Sequence, residues 1–429
     1  MQTLIPKLAY KYLPVSIYGG TTTISGSQTV AQILQNEFAI SDFSTWKGVT
    51  IENLGNDNII VNNAVILTPK GCLKLSASSP SEVTITSQQP TVISTLLEFG
   101  VEPVNAYAIT ITNSESDPTP TPFQQLLTLN LQGIISSPSQ LLNLKFYQDI
   151  NHNTPLYAWI MSYTSDLSTV YIWVSIPSGI PASSSITIYM QVTNTNQYPY
   201  TGISPYYNSQ YDNGQNVFLA YFNGYTPLSD FYTPNKLTTT TVNGVQAILI
   251  NGGCCNLGFV YTAKPIPYQP LMVLSYAIDL GNQPGGLTAD NGIAGLTNGT
   301  DTSSLDAISV NMGCNSTFFS MDYFENGSEY RCNNSQGAPV SELVYGQLQF
   351  NENSWSGSIS PTFGSGGYSG SLDFNPLSGS SQLYLGVIGG VNSGAQWQTA
   401  YIWMFASAYP PNGVMPSNSQ PQKVTVYIA

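Results

Sequence analysis

Apolar positions along the chain recur with a period of two. Runs such as Val49-Thr50-Ile51-Glu52, Tyr107-Ala108-Ile109-Thr110-Ile111-Thr112 and Ile186-Thr187-Ile188-Tyr189 place their apolar side chains on one face of an extended backbone. Gly, Pro, Asn and Ser separate these runs at short intervals, the pattern of all-β sandwiches. Further strands are predicted at Ala64 to Leu67, Leu126 to Leu131, Leu156 to Tyr163, Val170 to Ile176, Val217 to Phe222, Val245 to Ile250, Leu271 to Leu280, Leu343 to Phe350, Leu383 to Ile388, Ala400 to Ala406 and Val424 to Ile428. Helical spacing is confined to Thr29 to Glu37, where Val30, Ile33 and Leu34 share a face behind a cap near Ser27.

The predicted fold class is all-β, with tandem β-sandwich and jelly-roll domains and almost no helix. Three blocks are expected: 1–103 as an N-terminal β-domain for anchoring or assembly, 104–210 as a second sandwich, and 211–429 as a larger jelly-roll of roughly 12 to 14 strands. All eight Asn-Gly pairs, from Asn213 to Asn412, fall in the last block. Both residues of the pair tolerate positive φ in a type I′ turn, so this block should be rich in hairpins.

Composition narrows the function. Charged residues make up 8% of the 429, against about 25% in an average protein. The 10 Lys and Arg face 23 Asp and Glu, a net charge of −13, which removes the cationic footprint that a nucleic-acid partner requires. The sole histidine, His152, sits in a turn, so multi-histidine metal sites are excluded by arithmetic. The 28 Tyr, 16 Phe and 6 Trp supply ample core-forming surface. No run approaches the ~20 apolar residues of a membrane span, and Met1 to Gly20 alternates Lys, Tyr and Pro instead of forming a signal-peptide core. A surface of Ser, Thr, Asn, Gln and Tyr, poor in charge, suits acidic external fluid, because ion pairs fail once carboxylates protonate; the alternative is a β-rich fibre or pilus protein at neutral pH, where such surfaces are also common.

The second block resembles the DUF2341 domain of archaeal surface and viral proteins, which a concanavalin-like jelly-roll usually follows. The resemblance is carried by Tyr107 to Asn113, Pro122-Phe-Gln-Gln-Leu126, Asn143-Leu-Lys-Phe-Tyr147, Thr154-Pro-Leu-Tyr-Ala-Trp159, Trp173-Val-Ser-Ile-Pro177 and Ile186-Thr-Ile-Tyr189. It continues through Tyr211-Asp-Asn-Gly214, Phe218 to Tyr225 and Ala408-Tyr-Pro-Pro-Asn-Gly-Val-Met-Pro416. It implies a secreted or virion-surface β-protein of a thermoacidophilic archaeal setting and carries no catalytic mechanism with it.

Candidate chemistry is sparse. Asn298, Asn315, Asn326 and Asn333 each open an Asn-X-Ser/Thr sequon, clustered on one stretch that reads as an exposed, glycosylated face. Five cysteines permit two disulfides, and Cys314 with Cys332 flank an apparent hairpin, the first choice for a cross-strand bridge. Asp290, Asp301 and Asp306 read as solvated loop carboxylates, not a calcium loop, and no metal or cofactor is expected. Asp322, Glu325 and Glu329 prompt an acid-hydrolase hypothesis that no motif supports, so the chain is not expected to be an enzyme. Aromatic side chains in Gly/Ser loops suit stacking on sugar rings, which nominates Trp355 and Tyr368, with Trp397 as a weaker candidate.

The leading expectation is a subunit of an archaeal virus spike, turret or tail fibre, a homo-oligomer among virion subunits that engages host surface glycans from the virion surface. The alternative is an archaeal cell-surface filament in which a segment such as Ala9 to Gly19 completes a neighbour's sheet by strand addition. A secreted acid-stable hydrolase is the third reading.

Overall fold

The structure, a computed structural model, describes residues 15–38, 46–77, 79–100, 103–194, 214–232, 237–242, 244–250, 257–279, 291–301, 304–313, 318–335, 343–360, 368–388 and 400–427. These residues are mostly strand, and every strand pairing whose register is described is antiparallel. The chain divides into two compact units, Met1–Asn105 with Thr425–Ala429, and Ala106–Val424.

The first unit is built on Thr84–Gly100, a strand of 17 residues. Val15–Thr29 runs antiparallel along one edge of it, from Val15 opposite Gly100 to Thr29 opposite Thr84, with an irregularity between Ile24 and Gly26 where Gly26 adopts φ +74°. Along the other edge lie Trp46–Asn53 and Ile59–Val61. Val15 to Gly19, part of the segment considered for strand addition, therefore pair within the chain, whereas 9–14 lie outside the described residues. The helix Val30–Phe38 closes the core with Val30, Ile33 and Leu34, as their spacing predicts. Its cap is Thr29, not Ser27. Thr29 Oγ1 accepts the Gln32 N–H at 3.2 Å while Gln32 Oε1 accepts the Thr29 N–H at 2.9 Å, a reciprocal capping box. Ser27 is still in the strand, opposite Thr86.

In the second unit, a small sandwich packs Leu144–Tyr147, Ser184–Val192 and the part of the strand Pro103–Asn113 from Ala106 onward against a three-stranded sheet of Ala158–Tyr163, Val170–Ile176 and Phe123–Leu129. Ser417–Asn418 adds a strand from the far end of the sequence, opposite Thr112 and Ile111. Two eight-stranded sheets follow. One is centred on Ala400–Ala408 and Leu271–Asp279 and ends in Leu343–Asn351, Trp355–Ser360 and Tyr368–Leu372; the other is centred on Gln382–Ile388 and ends in Ala307–Gly313, Phe318–Glu325 and Ser328–Ser335. A core including Phe222, Phe259, Tyr276, Leu348, Trp355 and Tyr401 fills the space between them.

All nine residues of Ala400–Ala408 are buried, because this strand is covered on both faces. Tyr401, Met404 and Ala406 point into the jelly-roll core, while Ile402, Trp403 and Phe405 pack on Trp159, Met161 and Trp173 of the small sandwich. A strand covered on both faces needs an unbroken apolar run, which Tyr401-Ile-Trp-Met-Phe-Ala406 supplies.

Only some Asn-Gly pairs act as expected. Val242 opposite Val245 and Glu325 opposite Ser328 define two-residue hairpins around 243–244 and Asn326-Gly327. The latter has φ values of +49° and +77°, the geometry of a type I′ turn. In contrast, Gly214 opens a short helix, Gly214–Val217, and Asn291-Gly292 begins a strand, since tertiary pairing overrides the local turn preference there.

Candidate functional site

The hairpin at Asn326-Gly327 organises the most distinctive surface of the jelly-roll. A two-residue turn sets the register, so Tyr323 lies directly opposite Tyr330. Their rings stack at 4.9 Å with an interplanar angle of 10°, and Phe374 meets Tyr323 edge to face at 5.4 Å. Tyr330 is 44% and Phe374 45% exposed, whereas Tyr323 is half-buried against the core. The three rings form a shelf with one ring anchored and two presented to solvent.

Phe374 is preceded by Asp373, which lines an open cleft of about 400 Å³ together with Pro270, Asn351, Glu352, Asn353 and Ser354. The cleft wall is a rigid turn. Asn351 Oδ1 accepts the N–H groups of Asn353 and Ser354 at 2.9 and 2.8 Å and the Ser354 hydroxyl at 3.0 Å. The Asn351 carbonyl accepts Asn375 Nδ2 at 2.6 Å, which ties this turn to the segment carrying Asp373 and Phe374. Behind it, Tyr268 packs on Phe350 at 5.9 Å, and burial, followed by the nearby Glu352 carboxylate, pushes its phenol above the usual range. The cleft thus joins carboxylates, amides and a hydroxyl to an aromatic shelf through two consecutive residues.

Trp355 does not belong to this surface. It is 1% exposed, opposite Phe350 at the start of Trp355–Ser360, and its side chain sits in the core. The Gly/Ser-rich composition around it reads as a loop, but residues 356–360 form a strand, and a period-two face there points inward. The neighbouring Asn353 and Ser354 do line the cleft. Tyr368 begins the strand Tyr368–Leu372 opposite Ile359, with its side chain outside the described residues, and Trp397 lies outside them altogether.

Of the sequons, Asn298 is committed internally. Its Nδ2 donates to Asp306 Oδ2 and its Oδ1 accepts the Asp306 N–H, each at 2.8 Å. The other carboxylate oxygen of Asp306 accepts the Asn326 N–H at 2.9 Å. Asp306 is therefore a half-buried pin between two turns, not a solvated carboxylate. Asn326 itself is exposed. Asn315 and Cys314 lie outside the described residues; Asn333 and Cys332 lie on Ser328–Ser335, with Cys332 opposite Met321 and both side chains outside the description. Among the acidic trio, Asp322 is fully buried and Glu325 is exposed beside the turn, three residues apart and hence on opposite faces of the strand. Asp290 is outside the described residues, and Asp301 is exposed in a turn.

Tyr323 and Tyr330 carry a sequence signal that aromatic content alone does not reveal. They are equidistant from Asn326-Gly327, so a two-residue hairpin must pair them. Phe374 carries no such signal, because its place is set by long-range packing.

Fold and surface together define an all-β protein of stacked sandwiches. The chain belongs to the family of a rod-shaped archaeal virus protein, described as Uncharacterized protein 562 of Sulfolobus islandicus rod-shaped virus 1. The two are 51% identical over 444 residues, covering 100% of this chain and 79% of the relative. No protein-family model matches the chain, that of DUF2341 included. Among solved structures, a lectin from Bauhinia forficata in complex with GalNAc aligns with 45% of this chain and 99% of its own at 11% identity and a TM-score of 0.32. The CBM2 module of the evolved Dit of Lactobacillus casei BL23 phage J-1 aligns with 44% of this chain and 94% of its own at 9% identity and a TM-score of 0.31. No helix among the described residues is long and apolar enough to cross a membrane.

Proposed function

We propose that the protein is a surface subunit of an archaeal virion, a spike, turret or tail-fibre component that attaches the particle to host glycans. The carrying observation is the exposed shelf of Tyr330 and Phe374 beside a polar cleft, on a protein that belongs to a viral family. Amphipathic rings next to convergent hydrogen-bonding groups are how rigid β-scaffolds hold polar ligands that also have an apolar face. The role is binding, not catalysis. Repeated copies on one particle raise a weak single-site affinity through avidity.

Gold-labelled antibody against 211–429, applied to purified intact virions, tests the reading. Label on the particle surface is expected. Label confined to cell-attached filaments, with bare particles, overturns it in favour of a cellular filament subunit. Adsorption of virions to host cells should fall when soluble protein is added as competitor.

A further inference from the structure

Building on the glycan-attachment reading, we propose that the surface formed by Tyr323, Tyr330, Phe374 and the Asn351–Asp373 cleft is the binding site, and that its ligand is an uncharged pyranose glycan. The argument for the ring shelf is geometric. Tyr330 and Phe374 expose nearly half of their surface; among the described residues Tyr157 and Tyr232 are as exposed, but it is Tyr330 and Phe374 that a third ring, Tyr323, joins into one surface. Tyr323 buttresses both, stacked on one and edge-on to the other, so the shelf is fixed before any ligand arrives. The C–H face of a hexopyranose has the size and polarity to lie on such a ring.

The polar half determines which sugars fit. Among the described residues the lining carries two carboxylates, Glu352 and Asp373, with Asn351, Asn353, Ser354 and Pro270, and no Lys or Arg. A carboxylate accepts hydrogen bonds from two vicinal hydroxyls at once, and charge-assisted bonds are the stronger kind. The same charges repel uronates, sulfates and sialic acids at close range. Asn353 sits on a turn whose backbone N–H groups are already held by Asn351, so its amide is presented on a fixed support. Tyr330 and Phe374 are stacking residues, Glu352, Asn353 and Asp373 hydroxyl-binding residues, and Tyr323 a positioning residue.

The test is an array of neutral mannan-, glucan- and galactan-derived oligosaccharides beside polygalacturonate and dextran sulfate, probed with the full-length protein. Binding to at least one neutral series and to neither polyanion is expected. Tyr330→Ala and Phe374→Ala should each weaken that binding about tenfold while lowering the melting temperature only slightly, since each ring is nearly half exposed and packs on Tyr323, and Tyr330→Phe should retain both binding and stability. Asp373→Asn should admit polygalacturonate where the native protein rejects it. Neutral-glycan binding that both alanine variants leave intact overturns the assignment of the site while the attachment reading stands. Binding to polyanions alone overturns the ligand class. Absence of binding to every probe overturns the inference, and virion labelling then decides separately whether the protein is a surface subunit.

Discussion

Trp159 and Trp403 meet edge to face with ring centroids 5.3 Å apart and an interplanar angle of 83°, although 244 positions separate them in the sequence. The first lies on Ala158–Tyr163 of the small sandwich and the second on Ala400–Ala408 of the jelly-roll. Phe405 and Phe218 complete the cluster, stacked on each other at 3.8 Å, and Trp159 Nε1 donates to the Tyr221 hydroxyl at 3.2 Å. These fully buried rings make the two sandwiches one packed body. Trp159→Ala should therefore destabilise the whole of Ala106–Val424, by about 3–5 kcal/mol. Denaturant unfolding followed by tryptophan fluorescence measures this. A double-mutant cycle with Trp403→Ala should show coupling of at least about 0.5 kcal/mol, and strict additivity would contradict the shared core.

Gln124 performs a second linking task. Its Oε1 accepts the buried Ala408 N–H at 2.9 Å, at the end of the doubly covered strand. The adjacent Gln125 Nε2 donates to the Pro416 carbonyl at 2.9 Å. Replacing Gln124 by Leu preserves bulk but strands the Ala408 N–H away from water, which costs about 1–3 kcal/mol. Equal stability of Gln124→Leu and the native protein would contradict the role.

The pleated period of two made the fold class legible, and helical spacing made Val30–Phe38 legible to within a residue of each end. Less was readable at the site. Composition marked the Asn353-Ser-Trp-Ser-Gly357 stretch as exposed, but composition does not say which side of a strand faces the core, and Trp355 faces inward. Tyr323 and Tyr330 were encoded by their distance from a turn, whereas Phe374 was brought to them by the meeting of two sheet edges that are non-local in sequence. Asp306 looked solvated because its partners, Asn298 and Asn326, flank it at distances of 8 and 20 positions with no periodic relation.

Trp355 separates core from site experimentally. With its side chain buried against Phe350 and the jelly-roll core, Trp355→Ala should cost about 3–5 kcal/mol. The fraction that remains folded at low temperature should bind glycans with native affinity. Loss of binding in Tyr330→Ala with little loss of stability, set against a large loss of stability in Trp355→Ala without loss of binding, is the expected contrast.

Gly346 is required by contact, not by backbone freedom. A Cβ placed there would collide with the ring of Tyr276, whose hydroxyl donates to the Ser358 carbonyl at 3.0 Å across the sheet. Both residues are in a strand interior, so neither has room to yield. Gly346→Ala should cost about 1–3 kcal/mol or more. Combining it with Tyr276→Leu should recover part of that loss in thermal unfolding, because the obstructing ring is then gone.

His152 gives the second unit a pH response with a definite sign. Its ring lies flat on Tyr147 at 4.0 Å with an interplanar angle of 6°, in a turn where His152 itself adopts φ +57°. Burial, opposed by Gln191 and the Asp149 carboxylate and aided by Lys145, holds its pKa below the ordinary 6.5. As pH falls through 6.5 the unfolded chain takes up the proton first, so stability declines until the pH passes the lower folded value. Asp149 responds in a different window. Desolvation is the largest single influence and raises its carboxyl, but the hydrogen bonds from Asn153, Thr154 and Asn151 together outweigh it and hold the group below 3.8, so its contribution disappears only in stronger acid. Urea midpoints measured from pH 8 to pH 2 should show both declines. His152→Phe should abolish the upper one and leave the lower, and Asp149→Asn should shrink the lower one, to which Asp166, held down by hydrogen bonds from Thr164 and Ser168, also contributes. A native profile that is flat between pH 7 and pH 5 and matches that of His152→Phe would show that the imidazole is protonated as easily in the fold as in the unfolded chain, contrary to its burial on Tyr147.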